Sequence, residues 1–154
     1  MQGKVVPRLV AHGTLARTSG CQAPFLATQS LSHAPPLLKA VKELGLTAEE
    51  MRRVAAAAWT SLKAVHDLGV AHHSIHEGNL LLEFSPGPGG KCTVWLIDLQ
   101  RAVVRPDCSE VEADQDGLTS MLMKMVEGLP NQGAGTAVLR YIVARRIEAK
   151  LWTF

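Results

Sequence analysis

No run of apolar residues in the chain approaches the roughly 18 needed to span a bilayer. The first residues, which include Pro7 and Arg8, hold no apolar stretch of the signal-peptide kind. Neither sign of charge dominates. Sixteen Lys and Arg against fourteen Asp and Glu leave a formal net charge of +2, so there is no electrostatic case for a nucleic-acid partner. The nearest thing to a basic patch is Arg140, Arg145, Arg146 and Lys150, which one solvated helix face explains. The three cysteines, Cys21, Cys92 and Cys108, are odd in number and widely spaced. That excludes a disulfide framework or a zinc ribbon and points to a reducing compartment. No internal repeat occurs. These absences lead to the expectation of an intracellular, cytoplasmic protein with neither a nucleic-acid nor a membrane partner.

With 47% apolar and 19% charged residues over 154 positions, the chain has the composition of one globular domain with a real core. Residues 4–10 (KVVPRLV) and 24–31 (PFLATQSL) predict two strands able to pair across a polar loop at 13–23. A short helix is expected over 37–44, ended by Gly45. The clearest element begins at Thr47. Thr47 and Glu50 have capping-box spacing, and Met51, Val54, Ala55, Ala58, Leu62, Val65 and Leu68 recur at helical intervals up to Gly69. LLLEF at 80–84 and CTVWLIDL at 92–99 predict strands joined by the SPGPGG connection. Residues 105–113 have the composition of a polar loop. Helical stripes follow near 115–127, stopped by Gly128 and Pro130, and near 136–150. The methionines at 121, 123 and 125 fit as core filler.

The chemistry sits between the long helix and the second strand of the hairpin. Residues 70–82 read VAHHSIHEGNLLL and residues 94–102 read VWLIDLQRA. His72, His76, Gly78 and Asn79, with Leu80–Leu82 behind them, resemble the catalytic loop of the protein-kinase-like superfamily, closest to its aminoglycoside and choline phosphotransferase branch. Asp98, Leu99 and Gln100 resemble its metal-binding turn. The resemblance covers roughly residues 4–128 and is strongest over 51–102. It implies a mostly helical α+β fold: a kinase-like C-terminal lobe over 37–128, a remnant of N-terminal-lobe strands and hinge over 4–31, and a linker with a final helix over 129–154. The three make one partial domain across 1–154. It further implies ATP and Mg²⁺ as cofactors, with Asn79 and Asp98 as the oxygen ligands of the metal, converging beneath a nucleotide-sized cleft.

The departures from the family pattern carry equal weight. Ser74 stands where the resemblance puts the catalytic aspartate, and a serine hydroxyl is no base near neutral pH. His72 is assigned to bracing the loop, and His73 to an exposed position. The Gly of the metal-binding turn is Gln100. No Gly-rich phosphate loop or strand lysine is found, and Lys4 stands too near the start to serve as one. The expectation is therefore a degenerate, N-terminally truncated domain, a pseudokinase or fragment with weak or no phosphoryl transfer, acting on an unknown protein partner or small-molecule acceptor. Two alternatives remain open: an active kinase whose N-terminal lobe is missing from this sequence, and a non-enzymatic helical scaffold. A catalytic zinc site built from His72, His76, Glu77 and His66 is a weaker alternative, since no His-Glu-x-x-His motif occurs.

Overall fold

The computed structural model describes residues 3–16, 22–87, 89–127 and 132–150. Its backbone runs β1 (Leu9–Ala16), β2 (Gln22–Thr28), α1 (Leu37–Leu44), α2 (Ala48–His66), β3 (Val70–Ala71), β4 (Leu80–Phe84) and β5 (Cys92–Leu96). A 3₁₀ turn (Leu99–Arg101), β6 (Val103–Val104), α3 (Cys108–Glu127) and α4 (Gln132–Ala149) follow. Three antiparallel pairs, β1–β2, β3–β6 and β4–β5, make up the sheet structure among the described residues. The result is a mostly helical α+β fold of kinase-like type, as the sequence implies.

Helix α2 is the centre of the core. Thr47 caps it: the hydroxyl accepts from the Glu50 N–H at 3.3 Å, and the Glu50 carboxylate accepts from the Thr47 N–H at 3.0 Å. Its apolar stripe, Met51, Val54, Ala55, Ala58, Trp59, Leu62 and Val65, is wholly buried. The alanines let β5 approach closely, and the Ser61 hydroxyl donates to the Val94 carbonyl at 2.6 Å. On its other sides α2 meets α3 and α4, where Leu118, Leu122 and Ile142 are buried. After His66 the chain turns at Gly69, whose φ of 66° suits a residue without Cβ, and its N–H donates to the His66 carbonyl at 2.8 Å.

The β4–β5 hairpin is flanked on both sides. The Leu82 N–H donates to Pro35 O at 2.9 Å, and the Leu96 N–H donates to Val5 O at 2.8 Å. Opposite, the Arg53 guanidinium holds the connection between the strands by donating to the carbonyls of Gly87 and Gly90, and it stacks over Phe84 at 5.3 Å.

Several boundaries differ from the sequence reading: β2 ends at Thr28 and β5 at Leu96, each three residues early, and α4 begins at Gln132. The strand expected at 4–10 begins only at Leu9. Residues 3–6 form a turn closed by Gly3 N–H to Val6 O at 2.8 Å, and Pro7 has no N–H with which to start a ladder. The strand instead runs on to Ala16, into the segment expected to be loop. The helix expected from 115 begins at Cys108. Its start is set by Asp107, which accepts from the Glu110 N–H at 2.9 Å, while the Glu110 carboxylate accepts from the Asp107 N–H at 2.8 Å. This is a capping box with Asp in the Ser/Thr position. The helix stop at Gly128 and Pro130 lies outside the described residues.

Leu62 of α2 is fully buried in the hydrophobic core. Leu62→Ala should lower unfolding free energy by about 2–5 kcal/mol, read from the urea midpoint at constant m.

Candidate functional site

The loop between β3 and β4 is suspended from one side chain that the sequence reading did not single out, Asp114 of α3. It is 2% exposed. Its Oδ2 accepts from the His72 N–H at 2.6 Å and lies 3.0 Å from His66 Nε2, while its Oδ1 accepts from the His73 N–H at 2.8 Å. Burial by itself pushes the Asp114 carboxyl up. The His66 hydrogen bond and the two backbone N–H groups outweigh it and hold the group below its ordinary value. The clue in the sequence is positional. Asp114 falls in the buried stripe formed by Val111, Leu118 and Leu122, and an acid at a core position needs buried donors. Reading 105–113 as loop hid that stripe's first turn.

His72 is fully buried. Its Nε2 lies 3.0 Å from the Ile97 carbonyl, an acceptor only, so Nε2 carries a proton and donates it there. Burial lowers its pKa, against the pull of the Asp114 carboxylate. The expected bracing contact thus runs from the loop to the strand end just before Asp98. His73 has φ 58°, held there by its bond to Asp114, and its ring lies 3.4 Å from Glu110. It is exposed, as expected, while its backbone and ring are engaged by Asp114 and Glu110.

Ser74 and Asn79 face each other across the loop. The Asn79 Nδ2 donates to both the carbonyl and the hydroxyl oxygen of Ser74, each at 3.0 Å. That leaves the amide oxygen of Asn79, 6% exposed, as its free acceptor. The Asn79 backbone carbonyl accepts from the Ile97 N–H at 3.0 Å, so Asn79 and the residue before Asp98 are direct neighbours across β4 and β5. Asp98 itself has φ 62° and ψ 66°. For a non-glycine residue that left-handed conformation costs about 1–2 kcal/mol. Its side chain makes no capping bond to the 3₁₀ turn that follows, and the carboxylate is exposed.

Asp98 stands at the edge of a cavity of about 590 Å³ between the β1–β2 hairpin and the β4–β5 sheet, walled by Leu9, Leu26, Leu31, Leu81 and Leu96. Its volume and apolar walls are those of a small-molecule site. No lysine or arginine lines it among the described residues. Lys4 faces a separate groove beside Arg53 and Cys92. The zinc alternative is not built. His66 is committed to Asp114 and His72 to Ile97, and no group of three or more His, Cys, Asp or Glu among the described residues is placed to hold a metal.

Asp114→Ala would leave the buried His72 N–H and the part-buried His73 N–H without their acceptor, at about 1–3 kcal/mol for a buried donor. The variant should lose roughly 2–5 kcal/mol on denaturant unfolding. Because the folded pKa of His72 is depressed, its contribution is present above the ordinary imidazole value of about 6.5 and is lost as pH falls toward the folded value. The Asp114 contribution is lost further down, below about 3.9. Unfolding midpoints should therefore drop between pH 7.5 and 5.5, with a flatter profile in His72→Gln.

No curated protein matches the chain. The sequence model of the lipopolysaccharide kinase (Kdo/WaaP) family matches residues 2–135, a span that takes in the hairpin, the suspended loop, Asp98 and helix α3. The chain therefore belongs to the lipopolysaccharide kinase (Kdo/WaaP) family, a kinase-like family.

Proposed function

We propose that the chain is a nucleotide-binding, kinase-like domain with weak or no phosphoryl transfer, whose Asp98 and Asn79 hold Mg²⁺ against an ATP seated in the apolar cleft. The observation that carries this reading is Asp98. An exposed carboxylate kept in a left-handed backbone conformation, at the rim of a cavity of about 590 Å³, is strain stored where a ligand would use it.

The residues fit the cofactor in part. The leucine walls suit a purine. Asp98 and the free amide oxygen of Asn79 are hard oxygen donors of the kind Mg²⁺ takes one or two of. Bound, Mg-ATP would supply the transferable phosphoryl group and the charge that shields it. The triphosphate, however, has no cationic side chain along the cleft among the described residues. Ser74 adds to the deficit. Its hydroxyl accepts from Asn79 and has no carboxylate's capacity to take a proton from an attacking hydroxyl. Loss of a general base costs on the order of 10²–10⁴ in rate.

The acceptor we propose follows from the family and from the loop. Kinship with lipopolysaccharide kinases and the His-x-x-x-His-x-Gly-Asn spacing of His72, His76, Gly78 and Asn79 both favour a sugar hydroxyl over a protein side chain. The missing cation also favours a second reading, in which the helical part serves as a non-enzymatic scaffold.

Mg-ATP should raise the melting temperature of the chain, and Asp98→Asn should remove most of that shift. No shift in the wild type would leave the scaffold reading. Ser74→Asp should raise ATP turnover by at least 10²-fold if the rest of the site is intact.

A further inference from the structure

The groove beside Lys4 runs along the outer edge of β5. Its volume is about 470 Å³, and it shares no lining residue with the nucleotide cleft. The hydrogen-bond pattern of the hairpin decides which groups β5 presents there. The Ile97 N–H donates to the Asn79 carbonyl, and the Ser85 N–H donates to the Lys91 carbonyl. In an antiparallel ladder bonded and non-bonded pairs alternate. Leu80–Leu96, Leu82–Val94 and Phe84–Cys92 are therefore non-bonded pairs, and the N–H and C=O groups of Cys92, Val94 and Leu96 point away from β4.

Two of these outward groups are met within the chain. The Leu96 N–H donates to the Val5 carbonyl at 2.8 Å, and the Val94 carbonyl accepts from the Ser61 hydroxyl at 2.6 Å. The N–H groups of Val94 and Cys92 have no acceptor among the described residues. Val94 is wholly buried, and a buried backbone N–H is almost always paired. Across the groove, Ala56 and Ala57 of α2 leave room for a backbone beside that edge. The charged groups of the lining are Lys4 and Arg53, both cations. Arg53 is spent on the Gly87 and Gly90 carbonyls. Lys4 is exposed and pairs with no carboxylate among the described residues. Burial pushes the Cys92 thiol up, against the pull of Arg53, so its sulfur lines the groove as an apolar surface and not as a nucleophile.

We propose that this groove takes an extended peptide segment bearing an acidic side chain, which adds to the outer edge of β5 as a further strand. Val5 already bonds that edge at Leu96, so the added strand continues a pairing the fold has begun. Its carbonyls accept from the Val94 and Cys92 N–H groups, its own N–H donates to the outward Cys92 carbonyl, and its carboxylate meets Lys4. None of this depends on nucleotide binding, so the two readings stand or fall separately.

The test is a titration of the ¹⁵N-labelled full chain at 150 mM salt with the capped pentapeptide TVEVT, followed by amide chemical shifts. The edge from Cys92 to Leu96 spans about 14 Å, which five extended residues match. At millimolar peptide the Val94 and Cys92 amide protons should move downfield as they gain acceptors, while Leu26 and Leu99 in the nucleotide cleft stay in place. Lys4→Glu should weaken TVEVT and strengthen TVKVT, each by about 5-fold. N-methylating two consecutive central amides of the peptide spoils both of its edges and should abolish the shifts. Ala56→Leu, which fills the groove, should abolish them with the melting temperature unchanged. Arg140→Glu, on the exposed face of α4, should leave binding as it was. A Val94 amide that TVEVT does not move, equal binding of the N-methylated peptide, or indifference to Lys4→Glu would each overturn the proposal. So would acetate alone reproducing the Val94 shift, which would make the groove a site for a small carboxylate.

Discussion

One carboxylate organises the functional half of this domain. Asp114 receives two backbone N–H groups of the loop and the ring of His66 from the end of α2. A single buried charge thus joins three elements, α2, α3 and the β3–β4 loop. The arrangement is strong because it is complete. A buried carboxylate is costly when alone, and here two backbone N–H groups donate to it and the His66 ring lies within hydrogen-bond distance. The left-handed turn at His73, strained in isolation, persists because that bond requires it.

From that anchor the site is laid out by short, direct contacts. His72 reaches the Ile97 carbonyl, Ile97 N–H reaches the Asn79 carbonyl, and the Asn79 amide reaches Ser74. The chain of bonds passes from the loop to the strand end and back, leaving two acceptors unspent: the amide oxygen of Asn79 and the carboxylate of Asp98. Ser74 takes part in the bracing, since its carbonyl and hydroxyl oxygens both accept from the Asn79 amide.

Much of this was legible in the sequence, and the reasons are local. Thr47 with Glu50, the stripe from Met51 to Val65, and the leucines after Asn79 each declare their structure within a few residues, because caps and periodicity are short-range signals. The order of long helix, histidine-rich loop, hairpin and Asp98 carried the kinase-like kinship. Asp114 was not read, because its role depends on partners 41 to 48 positions away in the chain. Only its place in an apolar stripe hints at it. The start of α3 was missed because Asp107 and Glu110 look like loop polarity unless their spacing is noticed. The hairpin was displaced because Pro7 and the Gly3 turn consume residues whose side chains favour strands.

The grip of Arg53 on the carbonyls of Gly87 and Gly90 has an effect at the opposite end of the hairpin. Side chains in a strand alternate faces, so a slip of one residue between β4 and β5 would turn Leu80, Leu82 and Leu96 out of the core and carry Asp98 about 3.3 Å past Asn79. By fastening the connecting loop to α2, a cation remote from any ligand fixes how many residues separate the two strands. The tip is thus constrained in length and also in composition, since Gly87 and Gly89 hold φ of 91° and 76° and a Cβ on Gly90 would collide with the Ser85 carbonyl.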